Sequence, residues 1–151
     1  MTAVGQDLMK LYSQRILALA AGIPHVGRLP APGGSAMKRS PLCGSTVTVD
    51  VVMEGDRIAE FAQDVKACAL GQSSASVLGA HAIGRTRDEI AGARTQLEAM
   101  LKKGGPAPAA PFDDLGVLEP ANDYKNRHAS ILLAWDATLA AIDQAAGRPQ
   151  D

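Results

Sequence analysis

The stretch that decides the fold is CGSTVTVDVVMEGDRIAEFAQDVKAC, residues 43–68, which carries both cysteines of the chain at its two ends. Within it, Gly55 and Asp56 form a good centre for a two-residue β-hairpin turn. A hairpin folded there places Cys43 opposite Cys68. Directly opposed residues of an antiparallel ladder have Cα atoms about 4.5–5.5 Å apart. The sequence therefore predicts two sulfurs close enough for one metal ion or one disulfide.

The apolar pattern of the two strands requires a register one residue away from the one that this turn sets. The turn alone would place Val51 opposite Glu60, whereas a shift by one residue places it opposite Phe61 and matches the apolar faces. Because a one-residue slip exchanges the two faces of a strand, we expect a β-bulge or a three-residue loop to reconcile turn and pattern. Cys43 and Cys68 stay neighbours in either register.

Composition limits the classes of function. A length of 151 residues predicts a single domain, residues 1–151. A net charge of −1 and an aromatic content of 3% argue against nucleic-acid binding. The apolar run at residues 16–23 is far shorter than the roughly 20 residues of a membrane span, and no convincing signal peptide is present. We therefore expect a cytoplasmic protein with no membrane partner. In that reducing setting, paired cysteines more often bind metal or do redox chemistry than form a stable disulfide.

Helical and turn signals on both sides of the hairpin predict an α+β fold. It consists of a small antiparallel sheet of about three strands, packed with an N-terminal helix and three C-terminal helices. The expected elements, in chain order, are a helix from Leu8 to Leu19 that ends at Gly22, a loop at 24–35, an edge strand at 37–40, the hairpin at 45–66, a helix at 72–83, a helix with a Thr86–Glu89 capping box that runs to Lys103, a flexible loop at 104–111, a final helix capped by Asn122 or Asp123, and a tail at 147–151.

The positions of the two cysteines favour metal binding. Cys68 comes just before a predicted helix, whose N-terminus lowers a thiol pKa and so favours the thiolate that binds metal. Ser45 lies on the same side of the chain as Cys43, although serine is a poor ligand for zinc or iron. His128, early in the last helix, could be a third ligand. The alternatives are two buried, inert thiols and a solvent-facing histidine.

No motif of an enzyme is present, so we expect a protein that is not an enzyme. The glycines at 33–34 lack the spacing and the lysine of a phosphate-binding loop. A Gly-x-Ser-x-Gly nucleophile elbow and the His-Glu and His-x-x-x-His pairs of catalytic zinc sites are also missing from the sequence.

Six motifs in chain order carry a family resemblance. They are Leu11-Tyr12-Ser13, Pro24-His25-Val26-Gly27-Arg28-Leu29, Ser40-Pro41-Leu42-Cys43-Gly44-Ser45, Lys66-Ala67-Cys68 with the serines that follow it, Gly84-Arg85-Thr86, and His128-Ala129-Ser130-Ile131-Leu132. Over roughly residues 8–145 the chain resembles the iron–sulfur cluster assembly scaffold family, the IscU and SufU type that also forms the N-terminal domain of NifU.

The resemblance implies a fold, a cargo and partners. It carries over Cys43 and Cys68 as ligands of a transient [2Fe–2S] cluster or of zinc. His128 comes with them, either as the histidine of the family or in place of its third cysteine. Two departures are Ser45, which stands where the family has aspartate, and the absence of a third cysteine, with Ala129 or His128 in its place. The implied partners are a cysteine desulfurase and apo iron–sulfur acceptor proteins, and the implied state is a monomer or homodimer.

Three hypotheses about function follow. The first is a scaffold or carrier that binds a labile [2Fe–2S] cluster, or zinc, through Cys43, Cys68 and His128, with Ser45 as a possible fourth ligand. The second is a zinc-binding member of the fold that acts on sulfur-transfer partners. The third is a metal-free degenerate paralogue that serves as an interaction module in sulfur transfer.

Overall fold

The computed structural model describes residues 12–41 and 44–148. It confirms the predicted α+β class, with one three-stranded antiparallel sheet and helices on both sides of it in sequence. The elements are helix α1 (Gln14–Ala21), strands β1 (Gly34–Arg39), β2 (Thr46–Glu54) and β3 (Arg57–Lys66), helices α2 (Ala69–His81) and α3 (Arg87–Lys103), a 3-10 helix (Asp113–Asp123) and helix α4 (Lys125–Ala145).

The hairpin has the register that the apolar pattern requires, and a β-bulge, rather than a three-residue loop, reconciles it with the turn. Val51 pairs with Phe61, and this register holds through most of the ladder. Beside the turn, Glu54 pairs with Arg57, which is the register that the turn sets. The register shifts next to Val52, which leaves one extra residue on β3. Gly55 has φ +65°, a conformation that glycine adopts without strain. Because the bulge lies between them, the pairs beside the turn keep the register of a two-residue turn, while the rest of the ladder keeps the register that buries the apolar side chains.

Strand β1 forms the edge of the sheet, in the order β1-β2-β3. It begins at Gly34, earlier than the predicted 37–40, because this part of the chain lies directly against helix α4. A Cβ atom at Gly34 would stand 2.1 Å from the carbonyl oxygen of Ala141 and 2.7 Å from the backbone nitrogen of Ala145. Only glycine permits this approach, so the last helix is held close to the sheet.

The core lies between the sheet and helix α4, which also packs on α2 and α3. The alternate valines of β2 are buried, as is Trp135 of α4. The Trp135 indole donates a hydrogen bond to Ser74 Oγ (2.9 Å), and that hydroxyl donates to the Ile131 carbonyl (2.7 Å). The Ser74 side chain thus joins α2 to α4 across the core, and its hydroxyl and the Trp135 indole both have partners.

Several helix boundaries differ from the prediction. Helix α1 begins at Gln14, because Ser13 is extended and its hydroxyl accepts the Ile16 N–H (3.3 Å); the positions before residue 12 lie outside the described residues. The prediction that Asn122 or Asp123 caps the last helix is wrong. Both belong to the 3-10 helix, and α4 follows Tyr124 without a side-chain cap.

Other boundaries agree more closely. The Thr86–Glu89 capping box of α3 is confirmed in both directions, and Gly104 ends that helix with φ +67°. Helix α2 is shifted toward the N-terminus relative to the predicted 72–83, since it starts directly after the extended Cys68.

The 3-10 helix was not predicted, although its signal is in the sequence. Phe112, Leu115, Leu118 and Ala121 recur at every third position, and all four are buried. A repeat of three residues is the period of a 3-10 helix, because side chains at i and i+3 eclipse one another.

None of the helices within residues 12–41 and 44–148 is long and apolar enough to cross a membrane.

Candidate metal site around Cys68

The end of β3 and the start of α2 position Cys68. Strand β3 ends at Lys66, and Cys68 is the N-cap residue of α2, with extended backbone angles (φ −68°, ψ 170°). The side chain is a free thiol and is partly exposed. The prediction that this cysteine stands at a helix N-terminus is therefore confirmed.

Two buried serine hydroxyls lie next to the Cys68 sulfur. Ser130 Oγ is 3.6 Å from Cys68 Sγ and 3.2 Å from Ser45 Oγ. Ser130 is 1% exposed and Ser45 is 5% exposed. Three separate segments meet here: the start of α2, the first third of α4 and the residue just before β2. We call these three side chains the Cys68 cluster.

A glycine in α2 makes the approach of Ser130 possible. A Cβ atom at Gly71 would lie 2.7 Å from Ser130 Oγ, closer than real Cβ atoms come, and 3.0 Å from the Ser130 carbonyl oxygen, which is a very tight contact. Because Gly71 has no side chain, the first turn of α2 packs directly on α4 at this point. The Cys68 sulfur and the Ser130 hydroxyl can therefore face one another.

The surroundings of Cys68 favour its thiolate. Burial raises the pKa of the Cys68 thiol, because it disfavours the charged form. Four groups that stabilise the thiolate act in the other direction: the Gly71 N–H, the Ser130 hydroxyl, the Leu70 N–H and the Arg127 guanidinium. Their sum outweighs burial, so the pKa of Cys68 lies below the ordinary value of a thiol.

Ser130 and Arg127 were not among the site residues predicted from the sequence. The two positions are three residues apart in α4, so they share one face of the helix. The available signal for these two site residues was their spacing: a charged and a hydroxyl side chain lie three residues apart, next to the candidate ligand His128. What the sequence did not show is that this face of α4 meets the start of α2.

Cys43, the other predicted ligand, lies outside the described residues. Leu42 lies outside them as well, whereas the chain up to residue 41 and from residue 44 is described: the Ser40 backbone carbonyl accepts the Gly44 N–H (3.0 Å), and the Ser40 N–H donates to the Ser45 carbonyl (2.8 Å). The pairing of Cys43 with Cys68 therefore stays a prediction. Ser45, the position predicted as a possible fourth ligand, is part of the Cys68 cluster.

His128 lies elsewhere on α4. It is 4% exposed, so the alternative of a solvent-facing histidine is wrong. Its Nε2 is 2.9 Å from the Ala121 carbonyl oxygen, and since a carbonyl only accepts, that nitrogen carries the proton and donates. At about 100° per residue, His128 and Ser130 point to nearly opposite sides of the helix. The structure therefore does not bring His128 into the Cys68 cluster, and its role as a ligand stays a prediction.

Within residues 12–41 and 44–148, no group of three or more histidine, cysteine, aspartate or glutamate side chains is arranged to hold a metal ion. The donors that are together there are one thiol and two hydroxyls. A thiolate suits zinc and iron, whereas hydroxyls are weaker ligands for either. One thiol and two hydroxyls do not by themselves make a metal site, so a metal bound at Cys68 would need further ligands.

Comparison with known proteins shows the family. The sequence matches no protein-family model and no curated protein. Among solved structures, the chain is similar to the N-terminal part of a nitrogen-fixing NifU-like protein from Brucella abortus, with 44% identity, a TM-score of 0.90 and coverage of 95% of this chain and 99% of the other.

A second similar structure supports the fold alone. It is a protein from the thermophile Fervidobacterium islandicum AW-1 assigned as an iron–sulfur cluster assembly scaffold for the SUF system, with 22% identity, a TM-score of 0.77 and coverage of 89% of this chain and 98% of the other. The identity and nearly complete overlap with the Brucella protein confirm the resemblance read from the motifs. The chain belongs to the NifU-like family of the IscU and SufU type, a family of scaffold proteins rather than enzymes.

Proposed function

We propose that this protein is a scaffold or carrier that holds an iron–sulfur cluster, or zinc, as cargo at the Cys68 end of the sheet. The observation that carries the proposal is the free, partly exposed Cys68 thiol with a lowered pKa at the N-terminus of α2. Thiolate is the ligand that holds iron in clusters, and the exposed part of this sulfur gives cargo a way in and out. Cys43 is the second thiolate of the proposal.

A weak ligand set suits transfer better than storage. The described donors around Cys68 include two hydroxyls instead of further thiolates, and oxygen ligands hold zinc or iron less firmly than sulfur. His128, proposed from the sequence as the third ligand, would have to bind through Nδ1 or release the Ala121 carbonyl. A [2Fe–2S] cluster held in this way would be labile, as a carrier requires.

The proposed partners follow from the family. A cysteine desulfurase would supply sulfur, and apo iron–sulfur proteins would accept the finished cluster. These partners are implied by the family resemblance; the similar Fervidobacterium structure, assigned as a scaffold for the SUF system, adds only the shared fold. Neither partner needs to reach the protein interior, because Cys68 is partly exposed.

The decisive experiment is the metal content, by element, of protein purified without air, followed by anaerobic reconstitution with ferrous iron and sulfide. We expect visible charge-transfer absorption that Cys68→Ala abolishes and that Thr95→Ala, a control at an exposed position of α3, leaves unchanged. A protein that stays colourless and iron-free after reconstitution contradicts the cluster proposal.

Two outcomes would support the alternative functions instead. One zinc per chain without iron would indicate a zinc-binding member of the fold. Protein that contains neither metal, and whose two sulfurs react fully whether or not a chelator is present, would indicate the metal-free interaction module.

A further inference from the structure

We propose that the groove between helices α3 and α4, beside the end of strand β1, is a docking site for an acidic segment of a protein partner. The inference rests on the proposed function only for what such a partner exchanges with this protein, and it adds the chemistry of the surface that the groove recognises. It is carried by the distribution of charge along the molecule and by the lining of the groove.

Positive charge is concentrated at one end of the molecule. The end that holds Cys68 consists of segments 38–41, 44–48, 64–70, 98–104 and 121–131. Together these segments contain seven Lys and Arg residues against three Asp and Glu residues, a net charge of +4. All other described residues contain seven Lys and Arg against eleven Asp and Glu residues, a net charge of −4. The chain is therefore nearly neutral as a whole but strongly polarised in charge.

The strands bring two of these cations to the same end of the sheet. Thr46 pairs with Arg39 on one side and with Lys66 on the other, so the three residues form one row across the ends of the strands. A third cation, Arg127, is close enough to Cys68 to stabilise its thiolate. Positive side chains therefore lie around the candidate site.

The helices bring further cations to this end. Ion pairs at Arg87 and Arg94 join α3 to progressively earlier positions of α4, so the two helices are antiparallel. The last turn of α3, which carries Lys102, therefore lies beside the first turn of α4, which carries Lys125. Both lysines are exposed.

A groove of about 350 Å³ opens between α3, α4 and the end of β1. We call it the basic groove, and its lining includes three exposed cations and three apolar side chains: Arg39, Lys102 and Lys125, and Pro41, Leu132 and Leu133. A second cavity of about 330 Å³ also contains both lysines and reaches Asn122 of the 3-10 helix. The two cavities together offer a surface long enough for an extended segment of a partner.

The basic groove has positive charge to offer. Its two acids, Glu98 and Asp136, are already held in ion pairs with cations of α3. Within residues 12–41 and 44–148, no Asp or Glu forms an ion pair with Arg39 or Lys125. Leu132 is 4% exposed, so it forms part of an apolar floor between these cations. Carboxylates next to an apolar side chain complement such a surface in charge and in polarity.

An acidic protein segment fits the basic groove better than a nucleic acid does. Binding of single strands depends on stacking of bases on aromatic side chains. None of the residues that line the two cavities is Phe, Tyr or Trp. Pro41 lines the groove and Cys43 follows it by two residues, so a protein docked here is held beside the proposed ligands. Complementary charge also speeds the encounter of two proteins.

The test uses the full chain without metal, in the presence of a chelator, so that its outcome does not depend on cargo. The probe is a fluorescein-labelled peptide in which glutamate alternates with leucine, followed by fluorescence anisotropy. We expect saturable binding that weakens as salt is added, because the screening length is about 10 Å at 0.1 M salt and about 3 Å at 1 M. Arg39→Glu combined with Lys125→Glu should weaken binding by about tenfold or more.

The matched control is Arg57→Glu combined with Arg148→Glu, which changes the net charge equally at the opposite end of the molecule. Both arginine side chains are more than half exposed. We expect this control to leave peptide affinity within about twofold, with thermal unfolding showing that every variant is folded. In a titration of the native protein followed by NMR, the amide signals of Lys102 and Leu133 should shift and that of Arg57 should not.

Three results overturn the docking site: no saturable peptide binding at low salt, equal loss of affinity in the two double variants, or equally tight binding of a single-stranded oligonucleotide of the same charge. Each leaves the proposed function intact, because the protein in this test carries no cargo. A chain that takes up neither iron nor zinc in anaerobic reconstitution contradicts the proposed function instead, and peptide binding at the basic groove would still stand.

Discussion

The Asp50 carboxylate is completely buried, and the half-exposed guanidinium of Arg28 binds it through two hydrogen bonds, Nε to Oδ2 at 2.7 Å and Nη2 to Oδ1 at 3.0 Å. The same carboxylate accepts the Leu29 N–H (3.0 Å) and the Ser35 hydroxyl. Asp50 is in the middle strand, so these bonds fasten the loop before β1 to the centre of the sheet. The ion pair is thus a structural clamp on the side of β2 that carries its polar residues.

Replacing Asp50 should destabilise the fold. Asp50→Ala leaves Arg28, Leu29 and Ser35 without their acceptor, and breaking a buried ion pair costs about 3–5 kcal/mol. Because half of the Arg28 side chain stays in water, we expect the lower end, about 3 kcal/mol, in urea denaturation. Asp123→Ala, at an exposed carboxylate, should change the free energy of unfolding by less than about 0.5 kcal/mol. Equal effects of the two changes would contradict the clamp.

The same clamp predicts a loss of stability in acid. Burial raises the pKa of Asp50, but the hydrogen bonds from Arg28, Ser35 and Leu29 outweigh burial and bring the pKa below its ordinary value. A carboxylate with a lowered pKa in the folded protein stabilises the fold at every pH above its unfolded pKa of about 3.9. That stabilisation is lost as the pH falls from about 4 through the folded pKa. The free energy of unfolding, measured from pH 7 down to pH 2, should therefore fall less steeply below pH 4 in Asp50→Asn than in the native protein.

Asp143 supplies a second carboxylate for comparison. Hydrogen bonding to Arg87, and to a lesser extent to Arg148, lowers the pKa of Asp143 despite its partial burial. Asp143→Asn should thus also reduce the acid-dependent part of the stability. If neither substitution changes the slope between pH 4 and pH 2, the lowered pKa values do not contribute to the stability of the fold.

The hairpin shows what the sequence could predict. The alternate valines of β2 and the glycine turn predicted the register and the need for a β-bulge or a longer loop, because each is a local property of adjacent residues. The capping box at Thr86 and the position of Cys68 before a helix are local in the same sense. Signals of this kind do not depend on how the elements pack.

The Cys68 cluster shows what the sequence could not predict. Ser130 reaches Cys68 only because α2 and α4 touch at Gly71, a contact between segments far apart in the chain. Asp50 belongs to the polar face of β2, yet a loop covers that face and buries the carboxylate completely. The burial of His128 comes with its contact to the 3-10 helix, an element that the sequence did not predict. Each difference is a tertiary contact.

His128 has two predicted roles that can be separated. Its hydrogen bond to the Ala121 carbonyl joins α4 to the 3-10 helix, and losing it should cost about 1–3 kcal/mol in His128→Ala, because a buried acceptor is left unpaired. The ligand role predicted from the sequence requires in addition that zinc affinity falls. His81→Ala is the control histidine, at the last residue of α2. Destabilisation with unchanged zinc affinity would contradict the ligand role and leave the structural one.

Gly71 offers the sharpest test of how the site is built. In Gly71→Ala the new Cβ would stand 2.7 Å from Ser130 Oγ and 2.9 Å from the Ala67 Cβ, so α2 and α4 must move apart. Overpacking of this kind costs about 1–3 kcal/mol. The movement should also carry the Ser130 hydroxyl away from the Cys68 sulfur and weaken zinc binding.

Gly92→Ala is the matched control for this substitution, since Gly92 lies within helix α3 and a Cβ there would meet nothing within 4 Å. An alanine in a helix interior is favoured over glycine by roughly 0.5–1 kcal/mol, so the control should be stabilised while Gly71→Ala is destabilised. Opposite signs in urea denaturation, with zinc affinity reduced only in Gly71→Ala, would show that close packing of the two helices sets the geometry of the cluster. Zinc affinity that is unchanged in Gly71→Ala, with the expected loss of stability, would mean that the Ser130–Cys68 approach does not determine metal binding.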